Sequence, residues 1–456
     1  MAGIGFRLEK ILKSDSFSSS IKAHFYSLLI AAGPWFLSIV TVLCLYYFRP
    51  ANIDTFEHLY FRVSLNYIFA ASLITTGMLS LSLSRYISDK LYKEDTDALI
   101  PAFNSAAVAL LTLQSIIGAS FIYFTEGPLT LKFLTVLLYF SISLIWLIFI
   151  FLTALHDYLS IAVCYLVGTV ISIFAGIKLG LHYDLAGYFA GVLIGQLTVF
   201  VLLSARLFIE FPSKRIFDKD LFGFLKNNKI LVFTGMFYNI AIWIDKIIFW
   251  ASPKATAVTG FLRSFHEYEI PIFFAYVTII PLLSLFLVYV ETNFYLRYRT
   301  FYDKVLNRGS YAEIGRAKKE VGKSVYDGTK MLVIIQGGLS MLAILYASDI
   351  AVMLKLPIIV VPILRISIIG AFLHGMLLTN MIIMLYFDFK VLAFTTTALF
   401  MVTNGLFSYL SLSIPLPYLG YNYTAAAFIT LIVSFCMVSY KFKKLEYITF
   451  ALQTLE

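Results

Sequence analysis

Charge is what this sequence has least of: Asp, Glu, Lys and Arg make up 13% of its 456 residues, about half the share in a soluble domain. That shortfall excludes an ordinary water-soluble globular protein. Cysteine is rare as well. Cys44, Cys164 and Cys436 each lie inside an apolar run with no metal-ligand or redox spacing, which excludes a disulfide scaffold or a zinc module and leaves packing roles. Catalytic signatures are missing: there is no Gly-x-x-x-x-Gly-Lys phosphate loop, no His-Glu-x-x-His, no Gly-x-Ser-x-Gly, and no Gly-x-Gly-x-x-Gly after a strand. No cofactor or metal is therefore expected, nor an enzyme that hydrolyses ATP. The net charge of +9 alternates with apolar runs instead of gathering on one solvent face, which argues against nucleic acid as a partner. The first apolar run is too long for a signal-peptide core and lacks a small-residue cleavage pattern, so it is expected to stay in the protein.

What is present is hydrophobic and aromatic: 60% apolar residues, 17% aromatic, and a mean hydropathy of +0.86. The pattern predicts an all-α integral membrane protein. Residues 1 to 23 form a cytoplasmic amphipathic N-terminus, with Ile4, Leu8, Ile11 and Leu12 at helical spacing between Arg7, Lys10 and Lys13. Spans follow at about 24–48, 59–83, 100–124, 133–155, 159–181 and 186–209, then at 230–250, 270–293, 328–347, 357–387, 391–412 and 423–440. Each supplies about the 20 residues needed to cross hydrocarbon, so twelve transmembrane helices are expected.

Orientation follows from Lys and Arg. With both termini in the cytoplasm, 25 of the 35 basic residues fall on inside segments, while the outside loops hold only Arg49, Lys132, Lys254, Arg263 and Lys355. That is a strong positive-inside bias for a multi-pass protein of the cytoplasmic membrane. Long charged connections at 84–98 and 295–327, after the second and eighth spans, suggest an internal repeat. The expected organisation is an N-terminal six-helix lobe (24–209), a cytoplasmic linker (210–229), a C-terminal six-helix lobe (230–440) and a cytoplasmic tail (441–456), with the lobes around a central cavity.

The stretch from Ile230 to Phe301 has the highest density of polar residues within apolar sequence. Trp243, Lys246 and Trp250 are spaced i, i+3, i+7 and share one helix face, which places the ammonium between two indoles. Asp245 is turned about 100° from Lys246 and is expected to need a partner from another helix, or water. Arg62 and Arg365 lie toward the outer ends of their spans, and Glu291 marks the inner end of the eighth. Ionisable residues in hydrocarbon usually face a cavity or a partner, so Asp245, Lys246, Trp243, Trp250, Arg62, Glu291 and Arg365 are the candidate substrate-path residues. Snorkelling and a structural ion pair are the alternatives. Gly33, Pro34, Pro271 and Pro281 are the expected kinks. His374 and the carboxylate pairs Asp218/Asp220 and Asp95/Asp97 are expected to be structural or solvated.

Several of these runs resemble one family. The opening Met1-Ala2-Gly3-Ile4-Gly5-Phe6, the Gly33-Pro34-Trp35 motif, Trp243-x-Asp245-Lys246-x-x-Phe249-Trp250 with Ser252-Pro253, and Ile279-Ile280-Pro281, Glu291-Thr292 and Phe301-Tyr302 are similar to PelG. That family supplies the membrane component of Pel exopolysaccharide export, and is itself similar to MATE- and Wzx-like flippases of the MOP superfamily. Two departures from its pattern are visible: Arg7 and Glu9 have the opposite charge order, and Asn293 stands where an aspartate is expected. The resemblance implies a transporter that moves an N-acetylhexosamine-rich exopolysaccharide as part of a synthase–transport complex. The implied partners are a cytoplasmic PelF-like glycosyltransferase and PelD-like and PelE-like membrane proteins, with loops 84–98 and 295–327 as docking surfaces. A flippase for lipid-linked oligosaccharide, a non-transporting scaffold of the synthase and a glycan-modifying membrane enzyme remain alternatives.

Overall fold

The structure is a computed structural model that describes residues 37–154, 158–287 and 292–451. The N-terminal amphipathic segment, Gly33, Pro34 and Glu291 fall outside them. Inside hydrocarbon, backbone N–H and C=O groups can be paired only within the segment itself, so the long apolar runs become helices. Ten helices among the described residues are long and apolar enough to cross a membrane. The described chain divides into two compact units. One holds the residues up to Asn239 together with Pro253–Ser264; the other holds Ile240–Ser252 and the residues from Phe265 onward.

The first unit begins with the short apolar helix α1 (Leu37–Tyr47). Next come α2 (Thr55–Tyr92), α3 (Leu99–Phe124), α4 (Leu129–Ala154) and α5 (Tyr158–Glu210). A capping box starts α2, where Asp54 accepts from the Glu57 backbone N–H and Glu57 reaches back to the Asp54 N–H. With 38 residues, α2 runs for about 57 Å at 1.5 Å per residue and overshoots a bilayer of about 30 Å. At 53 residues α5 cannot be a single span, and it breaks where Tyr183 and Asp184 leave helical geometry, Asp184 at φ 50°. The fifth and sixth predicted spans meet there. Counting α5 as two and α1 as part of the first apolar run, the structure is consistent with twelve helices.

Glycine holds the two halves of α5 together. Gly168, Gly176 and Gly180 on the first half face Gly195, Gly191 and Gly187 on the second. A Cβ at Gly191 would run into the backbone of Ala175 and Gly176, one at Gly187 into the Leu179 carbonyl, and one at Gly195 into Ser172. Small residues four apart let helix backbones touch in this way. A second crossing of this kind joins α2 to the first half of α7 (Lys229–Trp250), where Gly77 meets Gly235 and the Asn239 side chain.

The stretch 210–229 is docked rather than free. Within it α6 (Asp220–Asn227) buries Leu221, the Phe224 ring meets Tyr86 at 5.1 Å, and Asp218 accepts from the Tyr86 hydroxyl. The two units part further on, inside α7. After α7 comes a feature that sequence reading treated as plain loop: a hairpin of β1 (Thr256–Thr259) and β2 (Leu262–Ser264). Gly260 at φ 49° makes its turn, and Tyr67 fastens it to α2, its hydroxyl donating to the Arg263 carbonyl (3.1 Å).

The second unit comprises the rest of α7, then α8 (His266–Val277), α9 (Ile280–Leu285), α10 (Thr292–Leu306), α11 (Tyr311–Leu345) and α12 (Ala347–Met353). The helices α13 (Val361–Tyr386), α14 (Lys390–Leu410), α15 (Tyr421–Lys443) and α16 (Leu445–Ala451) complete it. Two expectations are corrected here. Of the two kinks expected in the eighth span, the helix breaks at Pro281 but not at Pro271. It stops at Thr278–Ile279 because Pro281 has no N–H to continue the ladder and instead sits in the first turn of a new helix. Gln336 Nε2 on α11 donates to the Thr278 carbonyl at 2.5 Å. By contrast, α8 continues through Pro271.

The second correction concerns the charged connections, which are helical. Residues 84–92 complete α2, and most of 295–327 forms α10 and the start of α11. A capping box of Ser310 and Glu313 starts α11. Ion pairs Arg297–Glu320 (3.0 Å) and Lys304–Glu313 (3.5 Å) join α10 to α11. Apolar periodicity is weak in such segments, so caps and charge pairs specify the helix instead.

Candidate functional site

Three residues on the second half of α7, Trp243, Lys246 and Trp250, fall on one helix face as their spacing requires. Beside them Asp245 is fully buried, at 0% exposure, and Lys246 is nearly so at 7%. Here the structure overturns one expectation. Lys246 is the direct partner of Asp245: its Nζ donates to Oδ1 at 3.1 Å and to Oδ2 at 3.0 Å. The 100° offset between adjacent residues applies to Cβ directions, whereas a lysine has four methylenes with which to curl back along the helix. The third N–H donates to the Ile242 carbonyl one turn earlier (3.0 Å), so all three ammonium protons have acceptors.

Asp245 also has the interhelical partner that was expected. The Tyr268 hydroxyl on α8 donates to Oδ2 at 2.8 Å. Tyr268 accepts in turn from Asn422 Nδ2 at the start of α15 (3.0 Å), which also reaches Ser408 Oγ on α14 (2.8 Å). Asn422 Oδ1 accepts from the N–H of Gly420 (2.9 Å). Four helices therefore converge on one buried polar chain, and in a low-dielectric interior such a chain is stable only when its members are satisfied.

The aromatic surround differs from the pair of indoles that was expected. Lys246 Nζ lies 5.8 Å from the Trp243 ring centroid and 5.0 Å from that of Tyr276 on α8. Trp250 is engaged elsewhere: its Nε1 donates to Glu269 Oε1 (2.8 Å), which also accepts from the backbone N–H of Phe265 (2.6 Å). Glu269 is 8% exposed. Trp243 is half-buried, and its buried Nε1–H has no acceptor among the described residues.

The remaining candidates are not gathered into this cluster. Arg365 on α13 is exposed and donates to Ser348 Oγ of α12 at 3.1 Å. Arg62 is half-buried on α2, in the first unit, and Glu291 lies outside the described residues. His374 is structural in its surroundings: Nδ1 bonds the Tyr423 hydroxyl (3.0 Å) and the ring is buried among Tyr276, Phe400 and Tyr423. Among the described residues no group of His, Cys, Asp and Glu could hold a metal ion. Sequence reading missed Tyr268, Asn422 and Tyr276, which carry no charge and are separated from Asp245 in the chain. Only Glu269 had a visible signal, as an acid within an apolar run.

Two units of apolar helices, with broken helices and a buried ion pair inside one unit, define a polytopic membrane protein. The fold is that of the MOP superfamily. The chain is similar to a MATE transporter from Vibrio cholerae (TM-score 0.65, 9% identity, covering 97% of this chain and 98% of that one). It is also similar to a MOP superfamily transporter from Pyrococcus furiosus (TM-score 0.63, 10% identity, covering 93% and 96%). More specifically, residues 1–450 match the PelG family of exopolysaccharide exporters (EPS-E), and the chain belongs to that family. No curated protein sequence matches it. Family and fold are those of transporters and not of enzymes.

Proposed function

We propose that this exporter carries a Pel-like, N-acetylhexosamine-rich polymer across the cytoplasmic membrane, with both termini in the cytoplasm. The polymer is handed over by a PelF-like glycosyltransferase, within an assembly that includes PelD-like and PelE-like membrane proteins. The observation that carries the reading is the state of α7. Its buried acid is cancelled by the adjacent lysine, and the half-buried Trp243 beside the pair has an N–H without an acceptor among the described residues. A neutral sugar suits such a surface, since aromatic rings stack on its faces. The basic helical pair α10–α11 and the residues 84–98 are the docking surfaces for the transferase.

The test uses a protein freed of Cys44, Cys164 and Cys436, carrying one cysteine at Trp243, Asp245 or Arg365. Each variant is probed with a membrane-impermeant thiol reagent in cells with synthesis on or off. Labelling at Trp243 that synthesis suppresses is the expected result. Absence of labelling in both conditions, with export intact, would remove α7 from the sugar path and leave a scaffold role.

A further inference from the structure

The surroundings of the Lys246 ammonium are those of a bound cation. A snorkelling lysine carries its head to water, but this one is turned inward and buried. Its shell consists of both oxygens of one carboxylate, one main-chain carbonyl and two aromatic faces, from Asp245, Ile242, Tyr276 and Trp243. Carboxylate and carbonyl oxygens are the usual ligands of hard monovalent cations, and ring faces favour alkylammonium ions in particular. All of these groups belong to the second unit. The carboxylate is held in place from behind by Tyr268, itself held by Asn422, so its position does not depend on Lys246 alone.

The geometry points to a monovalent-cation site whose cation is supplied covalently by the chain: the ammonium of Lys246 is a tethered resident, and Asp245 is thereby closed to sodium and other free cations. Removing the tether opens the site, and the size of the opening sets what enters. Lys246→Met ends one atom short of Nζ and leaves an ammonium-sized space beside the carboxylate, suited to NH4+, K+ or Na+. Lys246→Ala removes the whole chain beyond Cβ and leaves room for ethyl- or propylammonium, which restores both the methylenes and the N–H donors. The inference is independent of the nature of the cargo.

The experiment is thermal unfolding of the purified full-length protein in detergent at constant ionic strength. N-methylglucamine chloride is replaced stepwise by the chloride of Na+, K+, NH4+, ethylammonium or propylammonium. Native protein is expected to give one midpoint in all of these salts. Lys246→Met should show a saturable rise with the small cations, and Lys246→Ala one with the alkylammonium ions, as selective binding to the folded state requires. Asp245→Asn combined with either change should abolish the response while remaining folded, because it removes the stranded charge. A flat response from both single variants would overturn the proposal. So would a saturable sodium response of the native protein that Asp245→Asn erases, since the site would then be vacant in the native state. Should neither single variant fold, their recovery on expression in ethylammonium- or potassium-rich medium is the readout, and equal yields in N-methylglucamine medium would count against the site.

Discussion

The glycine seam of α5 yields a prediction whose sign differs between chemically identical substitutions. In Gly191→Ala the added carbon meets Ala175 and Gly176 backbone atoms well inside van der Waals contact. Ordinary separations are about 3.4–4 Å, so the two halves of α5 must part by roughly an ångström, undoing contacts along the seam. Overpacking of this kind costs about 1–3 kcal/mol, against a gain of about 0.5–1 kcal/mol from replacing a helical glycine by alanine. The net loss is about 0–2.5 kcal/mol, or up to several degrees of melting temperature for a unit of this size. Gly337→Ala in α11 meets nothing within 4 Å, so only the propensity gain remains, about 0.5–1 kcal/mol. Melting curves of the detergent-solubilised protein should therefore move down for Gly191→Ala and up for Gly337→Ala. If both rise, the close approach of the two halves is wrong.

Three further outcomes are expected. In a double-mutant cycle, Asp245→Asn and Lys246→Met should each cost about 3–5 kcal/mol because each strands a buried charge, while the double variant should be close to native; additive losses would contradict the pairing. Glu269→Ala should strand the Trp250 Nε1–H and the Phe265 N–H at about 1–3 kcal/mol each, whereas Glu269→Gln keeps an acceptor and should lose far less, which melting temperature distinguishes. Ser310→Ala should lose about 0.5–2 kcal/mol of helix cap, seen as faster hydrogen exchange confined to the first turns of α11; unchanged exchange there would refute the cap.

How much of this was legible in the sequence depends on the kind of interaction. Helix number and class follow from apolar runs because the bilayer makes length and hydropathy decisive, and the α5 break fell where Tyr183 and Asp184 interrupt the run. Helical extensions beyond the bilayer were not legible at 84–92 and 311–327, where specification comes from caps and ion pairs instead of hydrophobicity. At the site, α7 was identifiable because Asp245 and Lys246 are costly in hydrocarbon. Their mutual contact was missed because Cβ geometry ignores the reach of a lysine. Tyr268 and Asn422 were missed because a neutral hydrogen-bonding residue among 30 tyrosines carries no mark until the tertiary fold places it. The glycines of α5, spaced by four, were a readable signal for a close crossing.

The Asp245–Lys246 contact is made between neighbours in the chain, and this bears on how the protein enters its membrane. A charge paired with a distant helix must wait, exposed to lipid, until that helix has been synthesised. Here Lys246 finds its carboxylate and the Ile242 carbonyl within a single turn of α7, as soon as that turn has formed. The pair can therefore leave the insertion machinery already neutralised, before Tyr268 on α8 or Asn422 on α15 has been translated. The later helices then assemble around a finished ion pair, and the order of events during biogenesis follows the order of residues along the chain.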